Sequence, residues 1–460
     1  MRILHYSLGF PPYRSGGLTK FCIDLMVEQS RQGHQTGLLW PGRMNLVAHR
    51  TTVKARGSVV LCAGVPAVQS FEVINPLPVP YDEGICRVSA YMADAPDGAY
   101  DKVLELFRPD VIHIHTLMGL HRELLEQARR RGIRLVFSAH DFYPICPKVT
   151  LFRNGTVCSD MGECAACPAC NVAALSLGKI TALQSPLYRA LKEAPLVKRA
   201  RKQHRDRSLG EAVAVRTERM LPAEDFRRLR QFYAAMLRQM DVIHFNSRQT
   251  MVQYEKRLAL GGVSRAVIPI SHSDIMDRRS VRPIVPGVLR IRYLGPQSSA
   301  KGYFLLKKAL DWLWTRRQDF CLDLHFEPLE REPYMRVHGH YQYAQLGSIF
   351  TESDVLVVPS IWYETFGYTA LEALSFGVPV ILSDTVGAQD ILAPGAGVVI
   401  EAITEEKLCR VLDGLSAQRL AEMNHAIMEY QYIPTMAETA RKIERICYCG
   451  QKGNEEQKDG

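Results

Sequence analysis

The sequence predicts an α/β protein made of two doubly wound parallel sheets that face each other across a cleft. Its 460 residues are enough for two or three domains. Short strands that are apolar on both faces alternate with helical stretches, which is the pattern of a parallel sheet covered by helices. A polar segment at residues 272–286 divides this alternation into two series. Ligands of such sheets bind outside the carboxyl ends of the strands, so the cleft is the expected binding site.

The first series covers residues 1–271. A turn region follows the first strand, and the amphipathic helix Leu18–Gln32 follows the turn. Residues 146–170 form a cysteine-rich loop. Residues 171–240 show helical patterns without a strand, which predicts a helical insertion. The expected strands are Arg2–Leu8, Thr36–Trp40, Asp110–His115, Arg134–Ala139, Asp241–Asn246 and Ala266–Ile270.

The second series covers residues 287–430 and predicts a second doubly wound domain. The last helical stretch, within residues 431–449, follows no further strand and is expected to pack back on the first domain. A polar tail follows it. The expected strands are Leu289–Leu294, Leu322–Phe326, Met335–His338, Asp354–Val358, Val378–Leu382 and Val398–Ile400. The expected helices are Leu305–Arg316, Tyr343–Thr351, Tyr368–Phe376 and Glu405–Ser416.

Composition and charge indicate a cytoplasmic globular protein. Apolar residues make up 47% of the chain, and the sequence shows neither a secretory leader pattern nor an apolar run of the ~20 residues that a spanning helix needs. The net charge of +9 suits acidic partners. Six Lys or Arg residues fall in the segment Lys198–Arg207, which predicts either contact with an anionic membrane at its inner face or a solvated helix face. The segment lacks interleaved aromatic residues, so nucleic-acid binding is not expected.

The segment PSIWYETFGYTALE at residues 359–372 carries the strongest functional signal. A strand ends at Pro359, a loop follows, and a helix opens near Gly367. The free N–H groups and positive dipole end of such a helix suit a diphosphate. Glu364 lies in the loop, where it can meet sugar hydroxyls, and Glu372 lies in the helix, where it can accept hydrogen bonds from ribose hydroxyls.

Two glutamates eight positions apart, with the flanking Pro-Ser, Glu-x-Phe-Gly and Gly-x-Pro-Val-Ile patterns, resemble the Glu-x7-Glu signature of retaining GT-B glycosyltransferases, in particular family 4. The resemblance implies the GT-B fold and a nucleotide-sugar donor, UDP- or GDP-linked, in the cleft. It also implies that Lys301 neutralises the donor diphosphate. Pro296 stands where many members have Arg. The implied donor-binding residues are Gly16, Gly17, His115, Gly295, Lys301, Glu364, Thr365, Phe366, Gly367 and Glu372.

Histidines follow two of the expected strands. In relatives the histidine at the position of His140 lies near the reacting anomeric carbon, so the resemblance makes it the first choice for contacting the transferred sugar, with His115 second. His113 is read as a buried structural residue, and Asp141 as a group that orients His140. The implied catalytic residues are His140, Glu364 and Lys301, with Glu364 as a binding group because front-face displacement needs no carboxylate nucleophile.

Metal dependence is not expected for the chemical step, because the sequence has no Asp-x-Asp motif. A metal is instead expected in the cysteine-rich loop, which resembles that of a subset of family 4. Its spacing predicts a structural zinc site, and an iron–sulfur cluster or free thiols are the alternatives. The predicted ligands are Cys158, Cys164, Cys167 and Cys170, with Cys146 as the substitute for one of them.

The function that follows is hexosyl transfer from a nucleotide-sugar to a saccharide or a polyprenyl-diphosphate-linked acceptor, in the synthesis of a bacterial surface polysaccharide. One alternative is a catalytically inactive nucleotide-sugar-binding subunit, and another is a different enzyme on the same scaffold, such as an epimerase. A dinucleotide-dependent oxidoreductase is disfavoured, because the first turn lacks the Gly-x-Gly-x-x-Gly pattern.

Overall fold

A computed structural model describes residues 1–11, 14–45, 49–80, 84–191, 194, 220–282 and 287–451. It contains two sheets, as predicted, and a short hairpin. The sheet of the first half has eight strands in the order β10-β9-β6-β5-β1-β2-β4-β3, and all neighbouring pairs are parallel except β3 with β4. Its strands are β1 (Arg2–Tyr6), β2 (Gln35–Pro41), β3 (Thr52–Val59), β4 (Val68–Ile74), β5 (Val111–Ile114), β6 (Arg134–Ala139), β9 (Val242–Phe245) and β10 (Ser264–Val267), and the hairpin is β7 (Phe152–Arg153) with β8 (Thr156–Val157).

Two strands of the first sheet, β3 and β4, were not predicted. β3 lies at the sheet edge and exposes most of its side chains, so it lacks the apolar pattern on both faces that marks the central strands. In β4, Gln69 and Glu72 interrupt the apolar run. The helices of this half are α1 (Gly17–Arg31), α2 (Asp101–Phe107), α3 (Arg122–Arg130), α4 (Cys167–Cys170), α5 (Leu177–Leu183), α6 (Pro186–Leu191), α7 (Ala223–Leu237) and α8 (Arg248–Glu255).

The second sheet has six strands, all parallel, in the order β13-β12-β11-β14-β15-β16. Its strands are β11 (Leu289–Tyr293), β12 (Phe320–Leu324), β13 (Met335–Val337), β14 (Val355–Val358), β15 (Val380–Ser383) and β16 (Gly397–Ile400). Its helices are α9 (Tyr303–Trp314), α10 (Leu346–Thr351), α11 (Tyr368–Ser375), α12 (Glu405–Asp413) and α13 (Ala417–Tyr430). Helix α13 was not predicted. It begins because the Ser416 side chain accepts a hydrogen bond from the Arg419 N–H, which caps a new helix where the sequence suggested an end.

The end of the chain returns to the first half of the molecule. Helix α14 (Met436–Ile443) starts at a capping box formed by Thr435 and Glu438 and continues into a π-helical turn at Glu444–Tyr448. It packs against α1, and the Gln29 amide donates to the Tyr448 hydroxyl over 2.9 Å. The segment is therefore part of the packing around the first sheet, although it follows the second sheet in sequence.

None of the described helices combines the length and the apolar character that a membrane-spanning helix requires. The basic segment Lys198–Arg207, most of the central part of the helical insertion, and the polar tail after residue 451 lie outside the described residues.

Candidate active site

A cavity of about 480 Å³ lies between the two sheets, at the carboxyl ends of their strands. Both halves of the chain contribute to its wall. From the first half come Gly17, Leu18, His140, Asp141, Phe142 and Asn246. From the second half come Tyr293, Gly295, Lys301, Ser360, Trp362, Glu364, Thr365, Phe366 and Gly367. Most of the residues that the sequence analysis selected are therefore in one cavity.

The centre of the second-half wall is an ion pair. The Lys301 ammonium lies 3.0 Å from Oε1 of Glu364, and the Ser360 hydroxyl donates to the same carboxylate oxygen. The ammonium also lies 5.0 Å from the centroid of the Trp362 ring, within range of a cation–π contact. Glu364 is thus anchored from two sides, and Lys301 is held at the cavity surface by both a carboxylate and an aromatic ring.

Glycines allow the two loops of this wall to approach each other. Gly302 has φ +74°, and a Cβ there would lie 1.8 Å from the carbonyl oxygen of Pro359. Gly367 has φ +104°, and a Cβ there would lie 2.8 Å from Cγ1 of Val386. These are conformations and contacts that only glycine tolerates. The first glycine brings Lys301 against the loop after β14, and the second places the N-terminus of α11 at the cavity.

Gly295 has a different reason to be glycine, because a Cβ there would lie 2.4 Å from the Tyr293 hydroxyl. That hydroxyl donates to the Pro296 carbonyl over 2.8 Å and lies 3.3 Å from the Lys301 carbonyl. The Tyr293 side chain therefore holds the loop at residues 295–301 through two of its carbonyls.

His140 follows β6 and is partly exposed to the cavity. Its Nε2 lies 3.1 Å from Nδ1 of His115, and its Nδ1 lies 3.2 Å from Nδ2 of Asn246. Burial, followed by the neighbouring His244, lowers the pKa of His140 well below its usual value, so the imidazole is neutral. The His140 carbonyl accepts a hydrogen bond from the Thr365 hydroxyl over 3.2 Å, which links the two halves of the site.

Asp141 does not orient His140, contrary to the expectation from the sequence. Its Oδ1 accepts from the Tyr143 N–H over 2.9 Å, and its carbonyl accepts from the Tyr254 hydroxyl. The neighbour of the His140 ring is Asn246 instead. Burial raises the pKa of the Asp141 carboxyl from 3.8 to about 6, and the hydrogen bond from Tyr143 opposes that shift.

Three predicted donor-binding residues are not in the cavity wall. His115 is fully buried because it lies inside the sheet between the rings of His5 and His140, so it cannot touch a ligand in the cleft. Glu372 is buried as well, and it accepts a hydrogen bond from Nε2 of His272 over 3.1 Å. Gly16 is exposed and precedes α1, whereas its neighbour Gly17 packs against the ring of Tyr368. The prediction that His113 is buried is confirmed.

Several residues of the cavity wall were not predicted from the sequence, and three of them contact predicted site residues. Asn246 follows β9 at the carboxyl edge of the sheet, as His140 follows β6, and the same positional rule would have found it. Ser360 and Trp362 lie inside the motif itself, four and two positions before Glu364. Their contacts with Glu364 and Lys301 identify them as part of the site.

The predicted zinc site in the cysteine-rich loop depends on how closely its sulfur atoms approach one another. Tetrahedral coordination with Zn–S bonds of ~2.3 Å requires the sulfur atoms to converge on one point. Among the described residues, His5, His113 and His115 are the group of three or more possible ligand side chains with ligand atoms within 4.8 Å of one another. The cysteines within the described part of the chain do not form such a group. Zinc therefore stays a prediction, which elemental analysis of the purified protein tests.

Two segments of the chain match glycosyltransferase families. Residues 15–157 match the family model described as Glycosyltransferase Family 4, and residues 316–432 match the one described as Glycosyl transferases group 1. A relative, an uncharacterized 41.2 kDa protein in the cps region of Klebsiella pneumoniae, is 27% identical over 148 residues, which are 31% of this chain and 41% of the relative. The alignment thus spans less than half of that relative.

Solved structures resemble the whole chain. Sucrose-phosphate synthase from Thermosynechococcus elongatus has a TM-score of 0.56 at 13% identity and covers 96% of this chain and 97% of its own. The trehalose-phosphate synthase from Burkholderia xenovorans in complex with glucose-6-phosphate has a TM-score of 0.54 at 11% identity, with 96% and 98% covered. HepE of Anabaena in complex with UDP and glucose has a TM-score of 0.52 at 12% identity, with 97% and 98% covered.

At these identities the likeness shows the fold, and it confirms the prediction of two doubly wound domains in the GT-B arrangement. One segment in each half of the chain therefore matches a glycosyltransferase family model, and the two halves are arranged in the GT-B fold.

Proposed function

We propose that the protein transfers a hexose from a nucleotide-sugar donor, with retention of the anomeric configuration, to a saccharide or a polyprenyl-diphosphate-linked acceptor. The observation that carries the proposal is the pairing of Lys301 with Glu364 at 3.0 Å in the interdomain cavity, next to the N-terminus of α11. The pair places a cation and a hydroxyl-binding carboxylate side by side, as a sugar bonded to a diphosphate requires.

The residues of the wall divide the chemistry between them. As the bond between sugar and diphosphate breaks, negative charge grows on the leaving oxygen. The Lys301 ammonium and the first N–H groups of α11 are positioned to stabilise that charge without a metal ion. Glu364, freed from Lys301 as the diphosphate takes its place, accepts hydrogen bonds from sugar hydroxyls. Neutral His140 lies on the opposite wall, where it contacts the transferred sugar.

The donor and the acceptor rest on different observations. Neighbours of the same fold were solved with UDP and glucose, which favours a UDP-hexose as the donor. The relative from a cps region favours surface polysaccharide synthesis as the role. A lipid-linked acceptor would bring the cytoplasmic protein to the inner face of the membrane, where a net charge of +9 favours contact with anionic lipid.

The first experiment measures binding and breakdown of the donor. The purified protein is screened by thermal shift against UDP, GDP, ADP, CMP and common UDP- and GDP-sugars, and the best ligand is then tested for slow hydrolysis. A ligand at 100 times its Kd should add about 2.7 kcal/mol to the free energy of unfolding. Lys301→Ala should abolish this shift, whereas Lys308→Ala, which removes an exposed lysine of α9, should leave it unchanged.

A second candidate function is a nucleotide-sugar-binding subunit without catalytic activity. Two observations favour it: Pro296 stands where the family resemblance implies an arginine, and Glu372 is buried against His272. Binding of a nucleotide without any hydrolysis or transfer would support this candidate, and turnover of the bound nucleotide-sugar would exclude it. Failure of every nucleotide to bind would contradict both proposals.

A further inference from the structure

A continuous chain of hydrogen bonds runs through the buried interior of the first sheet and ends at the cavity. It crosses four neighbouring strands and two of the helical elements packed on them, α1 and the C-terminal turn. Apart from His140, which is partly exposed, every side chain in it is at most 5% exposed. In order, it links Ile268, His244, Ser138, His113, Tyr448, Gln29, His5, His115, His140 and Asn246.

The direction of donation along these hydrogen bonds is fixed at the Ile268 end, which is opposite to the cavity end. The backbone carbonyl of Ile268 can only accept, so Nε2 of His244 donates to it over 2.7 Å. Burial lowers the pKa of His244 to about 4, so the ring is neutral and its Nδ1 is an acceptor. The Ser138 hydroxyl therefore donates to this Nδ1 over 2.7 Å and must accept from its other neighbour.

The same reasoning carries the direction through the C-terminal turn. Nε2 of His113 donates to Ser138 over 2.7 Å, so its Nδ1 accepts from the Tyr448 hydroxyl at the same distance. The Tyr448 oxygen then accepts from Nε2 of Gln29. The Gln29 amide is thereby oriented with its oxygen toward Nε2 of His5, which donates to it over 2.8 Å.

The last steps lead to the cavity. His5 accepts at Nδ1 from Nε2 of His115 over 3.0 Å, and His115 accepts at Nδ1 from Nε2 of His140 over 3.1 Å. Nδ1 of His140 accepts from Nδ2 of Asn246. Every donor in the chain thus meets an acceptor. A proton added to any of its rings would place two donors face to face, which agrees with the lowered pKa values of these histidines.

The chain also accounts for the buried group of His5, His113 and His115, whose ring nitrogens are close enough to suggest a metal site. Each of these six nitrogens already has a hydrogen-bond partner within the chain. The three histidines are therefore members of the hydrogen-bond chain and offer no free lone pair to a metal ion.

We propose that Tyr448 is a positioning residue for the cleft, which acts through this chain to fix His140 in the Nε2–H tautomer and to orient Asn246. The carboxamide of Asn246 is part of the cavity wall, and its Oδ1 has no hydrogen-bond partner among the described residues. With Nδ2 directed to His140, this buried oxygen is left as an unpaired acceptor beside the cavity. This role rests on the proposed transferase function.

Tyr448→Phe tests the proposal, because it keeps the ring and removes the hydroxyl that accepts from Gln29 and donates to His113. Without that hydroxyl, Gln29 can turn its amide around, and the part of the chain from His5 to Asn246 can reverse. We therefore expect nuclear magnetic resonance of ¹⁵N-histidine-labelled protein to show His140 as the Nε2–H tautomer in the unchanged protein and as a mixture in the variant. His140→Gln assigns the signal.

The matched control is Tyr100→Phe, which removes another buried hydroxyl of the first domain that is bonded to a histidine, His121, outside the chain. It should leave the His140 signal unchanged. A second variant, Ser138→Ala, separates the hydrogen-bond chain from Ile268 and should produce the same mixture of His140 tautomers. It serves as the test if Tyr448→Phe folds poorly. An unchanged tautomer of His140 in both Tyr448→Phe and Ser138→Ala would overturn the proposal.

Kinetics separate positioning from folding. Tyr448→Phe should lower kcat about tenfold and leave the Kd of the nucleotide unchanged, because the nucleotide binds to the second domain. A changed tautomer with unchanged kcat would overturn the positioning role. Absence of any transfer by the unchanged protein would contradict the proposed function. The direction of the hydrogen bonds is measured by nuclear magnetic resonance without a substrate, so the two failures are distinguishable.

Discussion

His272 and Glu372 form a buried pair that joins the linker between the domains to helix α11. The Asp274 N–H donates to Nδ1 of His272, so the opposite ring nitrogen, Nε2, donates to Oε1 of Glu372 over 3.1 Å. Both side chains are almost completely buried. The second glutamate of the Glu-x7-Glu motif thus has a structural partner in this chain in addition to the ribose that the resemblance assigns to it.

Glu372→Ala should therefore destabilise the protein as well as weaken nucleotide binding. The substitution leaves a buried His272 donor without an acceptor, which costs about 1–3 kcal/mol. Glu372→Gln keeps an acceptor oxygen and should cost less. Urea unfolding measures the change, with exposed Glu422→Ala as the control. A Glu372→Ala protein as stable as the original would show that the pair contributes nothing.

The buried carboxyl of Asp141 should make stability fall as the pH rises. Its pKa is about 6 in the folded protein and 3.8 as an ordinary side chain, so the folded state binds an extra proton between these values. The stabilising contribution is complete below pH 3.8 and is lost as the pH rises through 6. Asp141→Asn should consequently be more stable than the original protein at pH 8, by roughly 2–3 kcal/mol.

Denaturant unfolding at several pH values checks this expectation. The difference between Asp141→Asn and the original protein should shrink toward zero near the usual pKa of 3.8. Asn keeps the oxygen that accepts from Tyr143, so the local hydrogen bond is preserved. Exposed Asp97→Asn is the control and should show no such trend. A difference that is the same at every pH would contradict the raised pKa.

Gly302→Ala should damage both stability and donor binding. A Cβ there meets the Pro359 carbonyl, and its φ of +74° alone costs a non-glycine residue about 1–2 kcal/mol. Displacement of this glycine moves its neighbour Lys301 away from Glu364. Gly178→Ala is a control of opposite sign: Gly178 lies within α5 with open space around it, so alanine should be neutral or stabilise by about 0.5–1 kcal/mol. Equal thermal shifts for the two variants would refute the argument.

Thr365→Val tests the contact between the two walls of the cavity. The Thr365 hydroxyl donates to the His140 carbonyl, and valine keeps the shape while removing the donor. We expect a loss of about 1 kcal/mol in the free energy of unfolding. Thr351→Val, at an exposed hydroxyl that bonds within its own helix, is the comparison. A larger effect at Thr351 than at Thr365 would argue against a link between the walls.

Local signals in the sequence were sufficient for the fold class, and most of the site residues predicted from the sequence lie in the cavity wall. Continuous apolar runs identify strands that are buried on both faces, and His140 follows such a strand at the carboxyl edge of the sheet. Lys301 and Glu364 were found through the motifs that resemble family 4. Edge strand β3 and helix α13 carry weaker versions of these patterns, so they were missed. The strands and helices of the fold can be predicted in this way because the hydrophobic periodicity of one element depends only on residues that are consecutive in sequence.

Tertiary structure decided which side chains meet. His115 and Glu372 follow the same motif logic as His140 and Glu364, yet packing buries them against His5 and His272. The hydrogen-bond chain through Tyr448 joins residues more than 400 positions apart, and its direction depends on a single carbonyl at Ile268. Such contacts depend on distances between elements that are remote in sequence. Residue types and their spacing along the polypeptide therefore do not predict individual contacts.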